Sequence, residues 1–466
     1  IYKLVLIHFF ILFSFLVAVP VTDQNVELSG PDHISLIVHQ DLINDFFINL
    51  GKIKGKKKSF DWNLKNPRIN ISNEKAVFNA EIQLYNNLLS VTQDVVGKVD
   101  ISYDKLNNLI IIKIVDADVI IDIAGYDVGK IDIALQLQKH AIKLNPKNIN
   151  ALNQAGMALS NKGMDEEAIK YYKNAIKIDP DQDSTFINIA NSSRNLEKYE
   201  EAAKYYSKSE KILAKCQQLE CYYMLGDHKK FYESLNILSE SYAPHPLAAT
   251  LSKHASIRFN REDNYSFCPN PFDFVYKSNL FNKNIFNEQL LKDFFQVLNA
   301  EALSVKQQSL LKNGKQSSGN IFLINKEPIQ IMKKIITDEI EFYKEKYTKY
   351  NAGIIKNWPK NYKLYGWLII MEKDGNLGAH MHKEGWISGS IYLERPKRLD
   401  EVDGDILFSL HGSNYPTDNK DFESKLVQIE RGTIVLFPSS LFHGTFPYSA
   451  EEKRITLAFD IMPIND

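Results

Sequence analysis

Cysteine is scarce in this chain: Cys216, Cys221 and Cys268 are the only three among 466 residues. The set is odd in number and holds no C-x-x-C pair. Its first two members stand five residues apart in a helical stretch, a spacing that puts them on different faces. A disulfide framework and a cysteine-built zinc or redox site are therefore not expected. Surplus positive charge is missing as well. With 56 Lys and Arg against 57 Asp and Glu the net charge is -1. Nucleic-acid binders need an excess of cations to meet phosphates, so no nucleic-acid partner is expected. The one basic cluster, GKIKGKKKSF (51–60), reads as a solvated loop. Long apolar runs are confined to the start. IYKLVLIHFFILFSFLVAVPV (1–21) carries one early Lys and an apolar stretch broken only by His8 and Ser14, the pattern of an export signal or membrane anchor.

What remains is ordinary globular composition, 44% apolar and 24% charged, in a chain long enough for about three domains at roughly 150 residues each. From 25 to 128 the pattern has period two. AVFNAEIQLYN alternates Phe78, Ala80, Ile82 and Leu84 with Val77, Asn79, Glu81 and Gln83. KVDISYDKLNNLIIIKIVDADVIIDIAG reads as a strand, an Asn-Asn turn and a long strand, and HISLIVHQDLINDFFINLG as a helix ending at Gly51. This predicts an α+β module with a twisted antiparallel sheet and carries no evident chemistry.

Residues 129–258 are repetitive. ALQLQKHAIKLNP from Ala134, AIKYYKNAIKIDP from Ala168 and AAKYYSKSEKIL from Ala202 recur at intervals of 34 residues, and Pro146 and Pro180 keep the same interval. Small Ala lets antiparallel helices approach closely, aromatic residues fill the gap, and Asn-Pro or Asp-Pro closes the second helix. The pattern resembles the tetratricopeptide repeat, with a degenerate last copy at CYYMLGDHKKFYESLNIL. That resemblance implies an α-helical solenoid with a peptide or protein partner in its groove.

FNREDNYSFCPNPFDFVYKSNL (259–280) marks a boundary. Two amphipathic helices, NEQLLKDFFQVLNAEAL and EPIQIMKKIITDEIEFYKEKYTKY, precede the short strands YKLYGWLIIM, ISGSIYL, GDILFSL, KLVQIE, GTIVLFP and RITLAFDIM. Residues 270–466 are thus expected to form a jelly roll, with its core at about 362–466 and helices outside it. Within that core, His380 and His382 are two apart in an extended segment and point the same way. His443 follows a distant strand. Two imidazoles from one strand end and one from another can hold one face of an octahedral metal. Glu384, which makes H-x-E with His382, is an alternative carboxylate ligand. Arg454, eleven residues after His443, opens an apolar strand from which its guanidinium could pair bidentately with a carboxylate. Thr456 shares its face, Tyr392 lies across the sheet, and Trp386 is a candidate wall.

HMHKEGWISGSIYL, GTIVLFPSSLFHGTFPY and RITLAFDI resemble the iron(II)- and 2-oxoglutarate-dependent oxygenases, in particular the branch found after tetratricopeptide repeats. The fold implied is a double-stranded β-helix. The cofactors implied are Fe(II) and 2-oxoglutarate, with O2 as cosubstrate. The implied metal ligands are His380, His382 and His443, and the implied cosubstrate contacts are Arg454, Thr456 and Tyr392. The wider superfamily uses H-x-D or H-x-E where this chain has H-x-H. A dioxygenase hydroxylating a protein, peptide or other substrate is the leading expectation. Its rivals are a repeat scaffold with a silent jelly roll and a three-His cupin-like dioxygenase that needs no 2-oxoglutarate. The apolar start implies export or anchoring, whereas the cofactor chemistry implies the cytoplasm.

Overall fold

The computed structural model describes residues 53–57, 60–72, 75–85, 90–104, 109–115, 118–123 and 126–464 except 266, 302–304, 307 and 400, together with His8–Ile11 and Phe13–Ser14. The chain divides into two compact units, Ile1–Lys208 and Ser209–Asp466. The helix expected at 33–51 and most of the apolar run 1–21 lie outside the described residues. Among the described residues no helix is long and apolar enough to cross a membrane.

In the first unit, strands β1 (His8–Ile11), β2 (Phe13–Ser14), β3 (Lys54–Lys57), β4 (Phe60–Ser72), β5 (Lys75–Tyr85), β6 (Ser90–Asp104) and β7 (Leu109–Val115) form one sheet. Their order is β2-β1-β7-β6-β5-β4-β3. Phe78, Ala80, Ile82 and Leu84 are buried while their alternating neighbours are half-exposed, as period two requires. Three expectations need correction. The basic cluster at 51–60 is not all loop: β3 pairs with β4, and Lys54 and Lys56 face solvent from this edge strand. Charged side chains there discourage pairing with another chain. The sheet is not wholly antiparallel, because β1 runs parallel to β7. The long strand after the Asn-Asn turn is divided where acidic VDADV interrupts the apolar run. Its second half, β8 (Asp118–Ile123), pairs with β9 (Tyr126–Asp132) in a separate ribbon.

The repeat helices follow: α1 (Ile133–Leu144), α2 (Ile149–Ser160), α3 (Asp165–Ile178), α4 (Asp183–Asn195) and α5 (Tyr199–Tyr206). Asp132 and Asn148 cap α1 and α2 by accepting from the Leu135 and Ala151 amides. Asn145 and Asp179 end α1 and α3 in extended geometry before their prolines. Ala151, Ala155, Ala168 and Ala175 are fully buried, and Gly156 permits the closest approach. A Cβ there would lie 2.4 Å from the Tyr172 ring. The third copy departs from expectation: its helix stops at Tyr206 rather than continuing to Leu213. Polar SKSEK supplies nothing to pack, and the buried Ser209 hydroxyl accepts from the Lys211 amide at 3.3 Å.

The second unit begins with α6 (Ile212–Leu225) and α7 (His228–Ser241), joined through Gly226 at φ +68°, and α8 (Pro246–Arg258). Leu219, Tyr223, Leu247 and Leu251 from these helices share one core with Trp386 and Phe442. The three cysteines are buried. Next come β10 (Tyr276–Asn279), α9 (Glu288–Ala300), β11 (Val305–Lys306), β12 (Leu311–Ser317), α10 (Glu327–Lys346), β13 (Tyr362–His380), β14 (Ile387–Glu394), β15 (Ile406–Ser409), β16 (Ser424–Val427), β17 (Thr433–Pro438), β18 (Phe442–Thr445) and β19 (Arg454–Pro463). They make a curled jelly-roll sheet ordered β10-β17-β14-β19-β13-β18-β15-β16, with β12 also paired to β13 and β11 to β12. The sequence pattern missed β10, β11, β12 and β18, which are short or polar. Alternation separates the two faces. Leu364, Leu368, Ile391, Leu457, Phe459 and Ile461 pack with Phe294, Ile336, Ile340 and Tyr343 of the covering helices. Their neighbours on β13, β14 and β19 face the interior of the roll.

One buried chain of polar groups makes the second unit sensitive to acid. The Tyr223 hydroxyl lies 2.5 Å from Nδ1 of His254, whose Nε2 lies 3.0 Å from Nδ1 of His411. Burial, with His411 next in effect, lowers the His254 pKa from the ordinary histidine value to about 3. Between that value and the ordinary histidine value the unfolded chain binds a proton that the folded chain does not, so stability falls as pH drops through this window. The slope expected from one such group is about 1.4 kcal/mol per pH unit. Urea unfolding followed by tryptophan fluorescence at pH 7 and pH 5 should show the loss, and His254→Gln should lessen it.

Candidate metal centre

His380 ends β13 and stands directly opposite His443 of β18 in the antiparallel register. His382 lies two residues further, where its amide donates to the Ser439 carbonyl at 3.1 Å. One ring nitrogen from each of the three histidines lies within 4.8 Å of the others. Each Nδ1 already has an acceptor: the Gly378 carbonyl for His380 at 2.9 Å, the Leu441 carbonyl for His443 at 3.2 Å, and the Asp460 carboxylate for His382 at 2.7 Å. A carbonyl cannot donate, so Nδ1 of His380 and His443 must carry the proton, leaving Nε2 with a free lone pair. Nε2 of His380 and His382 face each other at 3.2 Å, a contact that a proton or a metal cation between them relieves. The donor set therefore fits a first-row divalent metal.

Electrostatics separate the three rings. Burial, helped by His382, lowers the His380 pKa to about 4. Burial, then the two neighbouring imidazoles, holds His443 well below the usual histidine range. His382 is buried too, but the Asp460 carboxylate outweighs that cost and raises its pKa. Asp460 is itself held by the Ser388 hydroxyl at 2.6 Å, and Ser388 lies 2.8 Å from the Ser439 hydroxyl. The sequence reading passed over Asp460 and Ser388, although Asp460 is in phase with Arg454 and Thr456 on the same strand.

The histidines open into a cavity of about 470 Å³. Every second residue of β19 lines it, from Arg454 through Thr456 and Ala458 to Asp460, as do Ser388, Ser390 and Tyr392 of β14. Tyr392 and Thr456 are register partners on adjacent strands. Ile369, Met371, Leu377, Ile406 and Phe437 supply apolar wall. Arg454 is 2% exposed, and its guanidinium lies 5.2 Å from the centre of the Tyr392 ring. Nη1 donates to the Gly404 carbonyl at 2.9 Å, while Nε is buried without a partner. Gly404 adopts φ +68° to present that carbonyl. The nearby buried Asp405 forms its ion pairs with Arg398 at 2.6 Å and Arg395 at 3.5 Å, and no ion pair to Arg454 occurs among the described residues.

Two candidates sit elsewhere. Glu384 is exposed and lines a separate groove with Asn357, Pro359 and Lys360, outside the histidine cluster. Trp386 is a core residue rather than a cavity wall: its indole donates to the Ile354 carbonyl at 2.9 Å and packs edge-on against Phe267. The tryptophan beside the histidines is Trp367, 5.8 Å from His382 between ring centres. β13 points its odd-numbered side chains inward and so selects it.

Residues 365–460 match the family described as "Putative 2OG-Fe(II) oxygenase", and residues 149–182 match the tetratricopeptide repeat. The chain thus carries a tetratricopeptide repeat and a C-terminal domain that matches this oxygenase family. Solved structures similar to that domain include a Pseudomonas putida prolyl-4-hydroxylase, at 12% identity over 41% of this chain and 93% of that one, with a TM-score of 0.29. HygX from Streptomyces hygroscopicus, with nickel and 2-oxoglutarate bound, is 15% identical over 41% of this chain and 84% of its own, also at 0.29. The crystal structure of MamA matches 26% of this chain and 75% of its own at 16% identity and a TM-score of 0.25. No curated protein matches the sequence.

Proposed function

We propose that the oxygenase domain is an Fe(II)- and 2-oxoglutarate-dependent dioxygenase that hydroxylates a peptide or protein, with the repeats binding the partner that presents it. The observation that carries this reading is a pair of unmet needs in one cavity: three imidazoles offering lone pairs to a single point, and a buried arginine lacking a carboxylate. His380, His382 and His443 would hold the metal through Nε2, each ring oriented by the acceptor at its Nδ1. Asp460 supplies, one hydrogen bond behind His382, the negative charge that an H-x-D motif places on the metal itself. When bound, Fe(II) with 2-oxoglutarate and O2 supplies C–H hydroxylation, releasing succinate and CO2.

Arg454 would take the far carboxylate of the keto acid, with Thr456 and Tyr392 as hydroxyl donors beside it. The apolar lining from Ile369, Met371, Leu377, Ile406 and Phe437 would give the reacting atoms a surround of low polarity. A keto-acid-free three-His reading leaves Arg454 buried with no ligand to justify its cost. The peptide or protein substrate follows from architecture alone, since a repeat groove can deliver a polypeptide. The test is succinate release from full-length protein. It should require both Fe(II) and 2-oxoglutarate, and metal-loaded protein that forms no succinate with or without candidate peptides would overturn the assignment.

A further inference from the structure

The residues that match the oxygenase family begin at 365, yet two segments that present the metal-site histidines are gripped from helices more than a hundred residues earlier in the same compact unit. Lys383 immediately follows His382. Its ammonium donates to both carboxylate oxygens of Glu220 on α6, at 2.9 and 2.8 Å. Glu220 is buried, and the Tyr415 hydroxyl also donates to it, at 2.5 Å. On the other side, the buried Thr250 hydroxyl of α8 donates to the Ser440 carbonyl at 2.6 Å. Ser440 belongs to the turn between β17 and β18 that delivers His443, and it adjoins Ser439, whose carbonyl receives the His382 amide.

We infer that helices α6 and α8 position the metal site of the jelly roll: Glu220, through Lys383, sets the loop carrying His382, and Thr250, through Ser440, sets the turn presenting His443. Glu220, Lys383 and Thr250 are positioning residues, since none reaches the cavity where metal and substrate would sit. The grip matters because His380 and His443 face one another across paired strands, whereas His382 lies beyond the end of β13. Its ring is aimed by Asp460, but its backbone is held by the Ser439 contact and by whatever anchors Lys383. A charge-assisted bond to a buried carboxylate is a firm anchor, and its loss takes from that carboxylate the ammonium that donates to both its oxygens. Helices α6 and α8 therefore serve the oxygenase domain as part of its metal site.

This inference rests on the metal-site reading above, and one titration separates their failures. Full-length wild type, Glu220→Gln, Lys383→Met, Lys383→Arg, Thr250→Val and the charge-balanced double variant Glu220→Gln/Lys383→Met are titrated with Co(II), following its visible absorption. Thermal unfolding without metal is measured in parallel. Glu220→Gln and Lys383→Met should each weaken Co(II) binding about 10-fold, within the 10–100-fold range for groups that orient ligands. Thr250→Val should weaken it about 3- to 10-fold, the value of one hydrogen bond. Lys383→Arg should restore affinity. The double variant should lose no more than the worse single one, because both act on one contact. It removes both charges together, so it tests the inference even if a single variant fails to fold. Wild type that binds no Co(II) would sink the metal site itself. Wild type that binds while the double variant and Thr250→Val bind equally well would overturn the positioning role alone.

Discussion

Substituting His443 with alanine is expected to abolish metal-dependent succinate release and to weaken Co(II) binding by more than about 100-fold, beyond the 10–100-fold seen when a group that only orients a ligand is lost. The ring is fully enclosed, its Nδ1 is committed to the Leu441 carbonyl, and burial keeps it neutral and ready to ligate. Phe437 packs on one side at 4.6 Å between ring centres, and Glu384, the carboxylate of the H-x-E alternative, is exposed on another surface. Asp460→Asn provides the internal contrast. It leaves all three imidazoles in place and, of the three, bonds only His382, so its effect should fall inside the 10–100-fold range. Loss of the same size in both variants would mean that Asp460 is itself a ligand. Intact Co(II) binding by His443→Ala would remove the metal assignment.

Arg454→Met is expected to raise the KM for 2-oxoglutarate by about 30- to 5,000-fold, corresponding to about 2–5 kcal/mol for removing one partner of a buried, hydrogen-bonded charge pair. Metal binding should be unaffected, because Arg454 makes no contact with the histidines among its described partners. Stability should move the opposite way from activity. Without ligand, Arg454 is a buried cation with one unpartnered nitrogen and no carboxylate paired to it among the described residues, so an apolar side chain of similar length is expected to be neutral or stabilising. Wild type saturated at 100 times its Kd should gain about 2.7 kcal/mol, which in a unit of this size raises Tm by roughly 5–10 °C. The variant should show no such gain. Calorimetric scans with and without 2-oxoglutarate check both halves, and a wild-type-sized shift in Arg454→Met would refute the cosubstrate role.

Much of the candidate site was legible because its parts are written as short-range patterns. The two-residue spacing of His380 and His382 implied convergent rings, and the phase shared by Arg454 and Thr456 implied a common face; both reach the cavity. Asp460 belongs to the same phase and was missed because an aspartate near the end of an apolar strand looks like a terminus signal. Only its 2.7 Å contact with His382, 78 residues away in sequence, reveals its use. Glu384 lies outside the histidine cluster for a related reason. Beyond the end of β13 the chain turns, so two-residue periodicity no longer says which way a side chain points. β18 escaped notice because FHGT is too short to show any periodicity, although its register with β13 is what sets His443 opposite His380.

The sequence by itself determined the 34-residue repeat, the strand-rich C-terminal third and the set of three histidines, because each is encoded in spacing that local backbone geometry converts directly into faces. The tertiary structure alone decided which histidine has a carboxylate behind it and that Arg454 has no ion pair among the described residues. It also decided that the last helices of the apparent repeat region belong to the unit that holds the metal site. Those outcomes depend on pairings such as Glu220 with Lys383 and Asp405 with Arg398. Which buried charge meets which partner is set by sheet register and helix packing across long stretches of chain, and no local pattern records that choice.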